Sequence, residues 1–227
     1  MRCSSIDIGS LRTSEVPDLD KLISIGSQPL EIGAPGVSKE VERLAGDLLP
    51  QLKYLLGSKN GFVAFESALH VFSAGSAFGF YGLNEWNRPD LWVSEYGGVA
   101  DGFLFFAEDI FGEQFGIREH AVYRFRPETA ETEFLAGDLN GWAKAILDDC
   151  DYRTGYSVAR DWQYKHGPLE RGRRLAPVIP FTFKETSYES SNFYAAEPVE
   201  LMRFRAQLFL QTRNLQDGAG VKLQIVD

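Results

Sequence analysis

The segment Asp101–Ile117, DGFLFFAEDIFGEQFGI, holds the clearest structural pattern in the sequence. Its apolar aromatic run, Phe103–Ala107, is bounded on both sides by charged and turn-forming residues, a pattern that is typical of a buried central strand. A second apolar segment, Phe115–Ile117, follows after a short acidic turn. Because a parallel pair of strands needs a crossover of about a dozen residues or more, this short link predicts an antiparallel pair.

The residues that follow extend this pattern into a sheet with helices beside it. The segment 122–134, VYRFRPETAETEF, alternates apolar and polar residues and turns at Pro127, which predicts two further antiparallel strands. Asp138 can cap a helix with one apolar face, and Pro198 suits the first turn of the last helix. The predicted fold class is therefore α+β, with a central, mostly antiparallel sheet flanked by helices in a single domain.

Four further segments are assigned from the sequence. Ser38 can cap a helix that Pro50 kinks or restarts, and 173–183 is predicted to be extended. Residues 221–226 are predicted to form a terminal strand. A second helix before the sheet is predicted from four apolar residues at helical spacing, namely Phe62, Phe65, Leu69 and Phe72.

The charge of the chain is concentrated in its middle third. The 227 residues include 23 Lys and Arg against 32 Asp and Glu, which gives a formal net charge of −9. Residues 1–84 carry −2, residues 85–161 carry −9 and residues 162–227 carry +2. This balance argues against nucleic acid and anionic membrane as partners, since both attract cations. A segregated acidic field favours a basic protein partner instead, although solvated acidic faces would give the same count.

Cysteine usage and hydropathy indicate a cytoplasmic protein. The only cysteines, Cys3 and Cys150, are far apart and form no CxxC motif, so they predict neither a disulfide framework nor a metal site. The first 18 residues lack the apolar core of a secretory signal. The uncharged stretch 67–84 holds three glycines and three serines, which makes it too polar and too broken to span a bilayer.

The sequence contains no recognisable catalytic motif. None of the three histidines, His70, His120 and His166, has another histidine or cysteine at metal-ligand spacing, and neither a GxSxG elbow nor a phosphate-binding loop is present. We place His70 on an apolar helix, as a core or boundary residue. We therefore expect no cofactor and no resident metal.

Two acidic clusters stand out. Glu108, Asp109 and Glu113 follow the predicted central strand, where three carboxylates can bind a hard cation, perform acid/base work or simply form a polar turn. The second cluster, Asp148, Asp149 and Asp151, lies at a helix end. Its negative charge is slightly unfavourable there for the helix dipole, which leaves room for a role in contacting a partner.

Several ordered blocks of sequence resemble one known superfamily. The segments 101–117, 122–134 and 138–149 (DLNGWAKAILDD) are similar to the SUKH superfamily, the fold of the fungal Smi/Knr cell-wall regulators. A bacterial subgroup is more similar still, and it is matched by KNGFVAFESALHVF, WNRPDLWVSEYGG, TGYSVARDWQ, GRRLAPVIPF and NFYAAEPVELMRFRAQ. The resemblance runs from about Tyr54 to the C-terminus. It implies an α+β domain, which we assign to residues 36–227, preceded by an N-terminal extension over residues 1–35.

The resemblance also implies a function in binding. SUKH members are non-enzymatic, and bacterial ones are often immunity proteins that neutralise toxins, many of them nucleases. We therefore predict an immunity protein whose acidic surface binds a basic toxin. The alternatives are a metal-dependent hydrolase built on the Glu108, Asp109 and Glu113 cluster, and a housekeeping scaffold or regulator without a toxin partner. The predicted partner-binding residues are Glu108, Asp109, Glu113, Asp148, Asp149 and Asp151, with Trp86 and Tyr96 as aromatic anchors if they are exposed.

Overall fold

The computed structural model describes residues 16–216 and 218–220. Eight α-helices lie in these ranges: α1 (Asp18–Ile25), α2 (Lys39–Ala45), α3 (Leu49–Ser58), α4 (Leu83–Trp86), α5 (Leu139–Asp148), α6 (Cys150–Thr154), α7 (Tyr156–His166) and α8 (Pro198–Thr212). The strands there are β1 (Phe62–Ala64), β2 (Leu69–Val71), β3 (Leu104–Asp109), β4 (Gln114–Arg118), β5 (Ala121–Arg126), β6 (Glu131–Ala136), β7 (Arg174–Pro177) and β8 (Phe193–Ala196). Short 3₁₀ helices cover Gly46–Leu48, Val93–Tyr96 and Ser190–Asn192.

The first six strands form one antiparallel sheet in the order β1-β2-β3-β4-β5-β6. Each strand therefore pairs with its neighbour in sequence, as the short links from β3 to β6 require, whereas residues 72–103 separate β2 from β3. β7 and β8 form a separate two-stranded antiparallel sheet. The predicted α+β class with a central antiparallel sheet and flanking helices is confirmed.

Helices and loops cover both faces of the six-stranded sheet. On one face, Trp142 of α5 lies 4.9 Å from the ring of Phe106 and 5.9 Å from that of Phe115. On the other face, Trp92 lies 5.1 Å from the ring of Phe105. All five rings are buried, and full burial of such a side chain stabilises the fold by about 1.5–3 kcal/mol. The core is therefore built on both sides of β3 and β4, the strands that the opening aromatic stretch supplies.

The helix predicted over 62–72 is wrong. Phe62–Ala64 and Leu69–Val71 are the antiparallel strands β1 and β2, and β2 also pairs with β3. The chain reverses direction through three consecutive residues with positive φ, Phe65 (52°), Glu66 (53°) and Ser67 (71°). The reversal lets β2 extend the central sheet, and it places His70 on a strand rather than on a helix.

The folded unit begins before residue 36. α1 lies within the range predicted to be an N-terminal extension, yet its residues Leu19, Leu22 and Ile23 belong to the main hydrophobic core. The backbone N–H of Leu19 also donates a hydrogen bond to Asn140 Oδ1 of α5 (3.1 Å). The predicted boundary at residue 35 is therefore not a boundary of the fold. The terminal strand predicted over 221–226 lies outside the described residues.

The elements that follow the sheet begin where the sequence predicts them. Asp138 caps α5, because its Oδ1 accepts a hydrogen bond from the backbone N–H of Gly141 (2.7 Å). Pro198 occupies the first turn of α8, where its missing N–H costs nothing. The predicted extended segment 173–183 contains β7, which pairs with β8 through Arg174 opposite Ala196.

Candidate functional site

The two carboxylates at the end of β3 lie inside the protein. The side chains of Glu108 and Asp109 are 2% and 0% exposed. Because successive residues of a strand point to opposite faces of a sheet, these two carboxylates enter different environments. The prediction that Glu108 and Asp109 contact a partner is therefore wrong, since neither side chain reaches the surface.

Glu108 is held by three neighbouring side chains. Its Oε1 lies 2.7 Å from Arg174 Nε and 3.0 Å from His70 Nδ1, and its Oε2 accepts a hydrogen bond from Gln114 Nε2 (3.1 Å). Burial acts to raise the pKa of Glu108, but Arg174 and His70 outweigh it and leave that pKa below its ordinary value. Burial lowers the pKa of His70 to about 4. The neutral His70 ring therefore donates its Nδ1–H to the Glu108 carboxylate.

Asp109 and Glu113 share one arginine. Arg124 Nη2 donates to Asp109 Oδ2 (3.2 Å), and Arg124 Nε lies 2.5 Å from Glu113 Oε2. Asp109 Oδ1 also accepts hydrogen bonds from the backbone N–H groups of Phe111 and Glu113, both at 2.9 Å. Burial, followed by the nearby charge of Glu113, raises the pKa of Asp109 to about 7. Glu113 is only 15% exposed, so it offers little surface to a partner.

These contacts do not form the metal site that the hydrolase alternative requires. Glu108 is engaged by Arg174, whereas Asp109 and Glu113 are engaged by Arg124. Residues 16–216 and 218–220 contain no group of three or more His, Cys, Asp or Glu side chains positioned to hold a metal ion. The geometry instead assigns the three carboxylates to ion pairs with buried arginines, and the Glu108 and Asp109 carboxylates also accept hydrogen bonds.

The two aromatic side chains proposed as anchors are in the core. Trp86 and Tyr96 are each 0% exposed. Trp86 Nε1 donates to Gln114 Oε1 (2.8 Å), and the Tyr96 hydroxyl donates to the backbone carbonyl of Met202 (3.3 Å). Burial raises the pKa of Tyr96 well above its ordinary value. The prediction that Trp86 and Tyr96 anchor a partner is wrong, because both rings are enclosed by the protein itself.

Asp148, Asp149 and Asp151 are exposed, and we call them the acidic corner. α5 ends at Asp148 and α6 begins two residues later, so the three carboxylates surround the junction of two helices. Asp149 Oδ1 accepts a hydrogen bond from the backbone N–H of Tyr152 (3.2 Å), and Asp151 Oδ1 accepts one from Ser157 N–H (2.7 Å). Two of the three aspartates therefore stabilise helix starts, where negative charge is favourable rather than unfavourable.

A chain of ion pairs connects α6, the helix beside the acidic corner, to the edge of the sheet. Arg153 of α6 pairs with Glu133 of β6 (2.7 Å), and Glu133 also pairs with Arg126 (3.0 Å). Arg126 in turn lies 3.6 Å from Glu131. Tyr152, between Asp151 and Arg153, is 57% exposed. The corner and the start of β6 thus form one continuous part of the surface, with an aromatic side chain beside the carboxylates.

The exposed surface of the middle third is strongly acidic. Between Glu85 and Asp161, eight of the acidic residues are exposed, against three of the lysines and arginines. The remaining cations of this segment are at least partly covered, and Arg124 is 8% exposed. Burial therefore does not cancel the charge surplus of the sequence, because it removes basic as well as acidic side chains from the surface.

The sequence analysis missed the buried cations. Arg174 and Arg205 are each 1% exposed, and Arg205 donates to the carbonyl oxygen of Phe111 (2.5 Å) and faces Glu128 (3.6 Å). No local pattern marks these arginines, since each lies in a segment that was assigned from its apolar residues and prolines. The acidic turn after β3 was the one available signal, because buried carboxylates require cations from elsewhere in the chain.

Comparison with known proteins finds distant structural likeness. The sequence matches no protein-family model, and a search of curated proteins finds no match. Among solved structures, the chain is similar to that described as the crystal structure of Atu4351 from Agrobacterium tumefaciens, at 11% sequence identity and a TM-score of 0.49. That likeness covers 82% of this chain and 86% of the other. The resemblance to the SUKH superfamily stays a prediction.

None of the helices in the described residues combines the length and the apolar character that a membrane-spanning helix needs.

Proposed function

We propose that this protein is a non-enzymatic protein-binding domain that binds a basic partner through the acidic corner. The observation that carries the proposal is the exposure of Asp148, Asp149 and Asp151 around one helix junction. Only Asp148 has a cationic neighbour, Lys144 at 2.6 Å, whereas Asp149 and Asp151 form no ion pair with any described residue. Two uncompensated and adjacent charges favour a cationic surface on the partner.

The acidic corner is also rigidly held. Because Asp149 and Asp151 each accept a backbone hydrogen bond at the start of a helix, their carboxylates are fixed before any partner arrives. Fixing charged side chains in advance lowers the entropic cost of association. Tyr152 supplies an exposed aromatic ring next to these carboxylates, and tyrosine is one of the residue types enriched at the energetic centres of interfaces.

The proposed partner is a toxin domain with a cationic active surface, and the proposed role is that of an immunity protein. The resemblance to bacterial SUKH proteins supports this role. Nucleases present cations to the phosphates of their substrates, so an acidic protein can occupy the same surface competitively. Neutralisation would take place in the cytoplasm of the cell that makes both proteins. A scaffold or regulator would use the same surface without neutralising any toxic product.

Co-expression separates these roles. The product of each gene next to the one that encodes this chain is expressed alone and together with the chain, and cell growth is measured. The immunity role predicts that one product is toxic alone and harmless when the chain is present. If no neighbouring product is toxic, or if the chain rescues none of them, the immunity role is refuted.

The position of the charge is tested with neutral variants. D148N/D149N/D151N removes three charges but keeps oxygen atoms that can accept the two capping hydrogen bonds. The matched control, D90N/D101N/E119Q, removes three exposed acids elsewhere in the middle third. We expect loss of protection with the first variant only. Equal protection by the two variants would show that total charge, and not the acidic corner, governs binding.

A further inference from the structure

A cavity of ≈ 320 Å³ lies beside β1, the first strand of the six-stranded sheet. It is enclosed by the segment after α1, by β1, by the turn 77–80 and by the segment 169–174 that leads into β7. Its volume falls at the lower end of the range of small-molecule sites, about 300–1,000 Å³. The lining residues used below are Pro29, Val63, Phe80, Leu169, Arg171 and Arg174.

Arg174 is an almost fully buried cation in the lining of this cavity, and its side chain is only 1% exposed. Its Nε donates to Glu108 and its Nη1 donates to the carbonyl oxygen of Arg173 (2.8 Å), but Nη2 has no hydrogen-bond partner. A buried donor without an acceptor is costly, so an oxygen atom supplied from the cavity would stabilise the protein.

A second cation completes the positive end of the cavity. Arg171 lines the cavity, is exposed, and forms no ion pair with any described residue. The one acid in the lining, Glu170, lies 3.6 Å from Arg173, which is not part of the lining. Since Glu108 already balances Arg174, the cavity is left with about one unit of positive charge, from Arg171. A single negative charge on the ligand would match it.

Part of the remaining cavity wall is apolar, beside the uncharged polar residues Ser27, Gln28 and Ser67. Pro29, Val63, Phe80 and Leu169 provide aliphatic and aromatic surface. Such a wall with one cationic end matches a ligand that has an apolar body and an anionic head. A guanidinium fork favours the planar geometry of a carboxylate, which carries the one charge that the cavity can balance.

The wall is already formed in the protein as it stands. Gly172 has a φ of 73°, and a methyl group there would overlap the carbonyl oxygen of Gly79. The segment 169–174 and the turn 77–80 therefore touch backbone to backbone, which only glycine permits at this point. This contact fixes the segments that carry Arg171 and Phe80 relative to each other, so the cavity needs little rearrangement to accept a ligand.

We propose that this cavity binds a small organic monocarboxylate, with its carboxylate between Arg171 and Arg174 and its apolar body against Val63, Phe80 and Leu169. The site is separate from the acidic corner and does not depend on the proposed protein partner. If the cavity binds no carboxylate, the proposed protein partner is unaffected, because the two sites share no residue.

The test uses probes that differ mainly in charge. Ligand-observed NMR and calorimetry measure the binding of benzoate, its neutral analogue benzamide, the dianion phenyl phosphate and the aliphatic carboxylate hexanoate. We expect saturable binding of benzoate or hexanoate, and binding of benzamide at least about tenfold weaker, because the desolvated charge pair is lost. Equal binding of benzoate and benzamide, or no saturation by either carboxylate, would overturn the proposal. Tighter binding of phenyl phosphate would replace the carboxylate assignment with a phosphate one.

Variants test whether the probe binds in the cavity. R171A should weaken benzoate binding at least about tenfold, whereas R160A, which removes an exposed arginine on α7, should leave it unchanged. V63F should abolish binding of every probe by filling the cavity. R174K, which keeps the charge but loses Nη2, should also weaken binding. Circular dichroism verifies that each variant is folded, and unchanged benzoate affinity in folded R171A and V63F would refute the site.

Discussion

Replacement of Glu108 by glutamine tests whether the buried ion pairs hold the fold together. Glu108→Gln keeps the shape of the side chain and one acceptor oxygen, but it leaves the Arg174 guanidinium buried without a counter-charge. Removing one partner of a buried ion pair costs about 3–5 kcal/mol. A domain of this size has a free energy of unfolding of about 5–15 kcal/mol, so the loss is a large fraction of the total.

The loss should be visible in both chemical and thermal unfolding. At about 2–4 °C per kcal/mol for a chain of this length, the expected fall in Tm is about 6–20 °C. Guanidinium unfolding at pH 7, followed by tryptophan fluorescence, measures the free energy directly, since Trp86 is hydrogen-bonded to the same network through Gln114. Glu131→Gln is the matched control, because that glutamate is exposed and its pair with Arg126 should contribute no more than about 1 kcal/mol.

A double-mutant cycle isolates the pair. Replacing both partners, as E108Q/R174M, removes the unpaired charge as well as the attraction. The double variant should therefore be more stable than the sum of the single changes predicts, by about 1–3 kcal/mol. A loss below about 1 kcal/mol for Glu108→Gln, or additive single changes, would refute the reasoning that Glu108 and Arg174 depend on each other.

Three further predictions concern other parts of the fold. The pKa of buried Asp109 is about 7 in the folded protein, above the ordinary value of 3.8. Asp109 therefore contributes its full share to the free energy of unfolding below about pH 4, and this contribution is lost as the pH rises to about 7. Asp109→Asn should therefore flatten the dependence of unfolding free energy on pH across that window, and an unchanged slope in urea titrations would contradict this. Gly172→Ala should lower the free energy of unfolding by about 1–3 kcal/mol, because Gly172 has a positive φ and touches the backbone of Gly79. Gly57→Ala, in open space within α3, should raise the free energy of unfolding by up to about 1 kcal/mol. Thermal unfolding of the two variants measures the difference. Burial and the flanking carboxylates raise the pKa of Cys150. Iodoacetamide should therefore modify Cys150 more slowly at pH 8 than it modifies a cysteine in an unstructured peptide. Neutralising the acidic corner should make the modification of Cys150 faster, and peptide mass spectrometry measures both rates.

The centre of the sheet was predictable because its sequence is locally consistent. The run Phe103–Ala107 is bounded by turn residues, Pro127 interrupts the next apolar segments, and Asp138 begins the helix that follows. Each link is too short for any connection but a hairpin, so the antiparallel order of β3 to β6 needed no long-range information.

The hairpin of β1 and β2 was not predicted because its apolar residues also fit the spacing of a helix. Phe62, Phe65 and Leu69 fall at helical spacing, but the reversal between the strands puts Phe65 in the turn. That turn uses positive φ at Phe65, Glu66 and Ser67, none of which is a glycine that would signal it. Pairing of β2 with β3, a contact across almost forty residues, decides the outcome against the local preference.

The burial of the acidic cluster could not be predicted because its partners are distant in sequence. Glu108 and Arg174 are separated by 66 positions, and Asp109 and Arg124 by 15. Carboxylates after a strand have the same local appearance whether they face solvent or an arginine. By contrast, Asp148 ends a helix, a position that the sequence does predict, and its side chain is exposed.

The central claim, that the acidic corner binds a basic partner, is tested most directly by association kinetics. The partner is the toxic product that the chain neutralises in co-expression, and its association rate constant is measured with the wild-type chain and with D148N/D149N/D151N, each at about 50 mM and about 200 mM salt. We predict a rate about tenfold lower for the variant at low salt, and a wild-type rate that falls as salt increases. Equal rates for the two proteins, independent of salt, would contradict the claim.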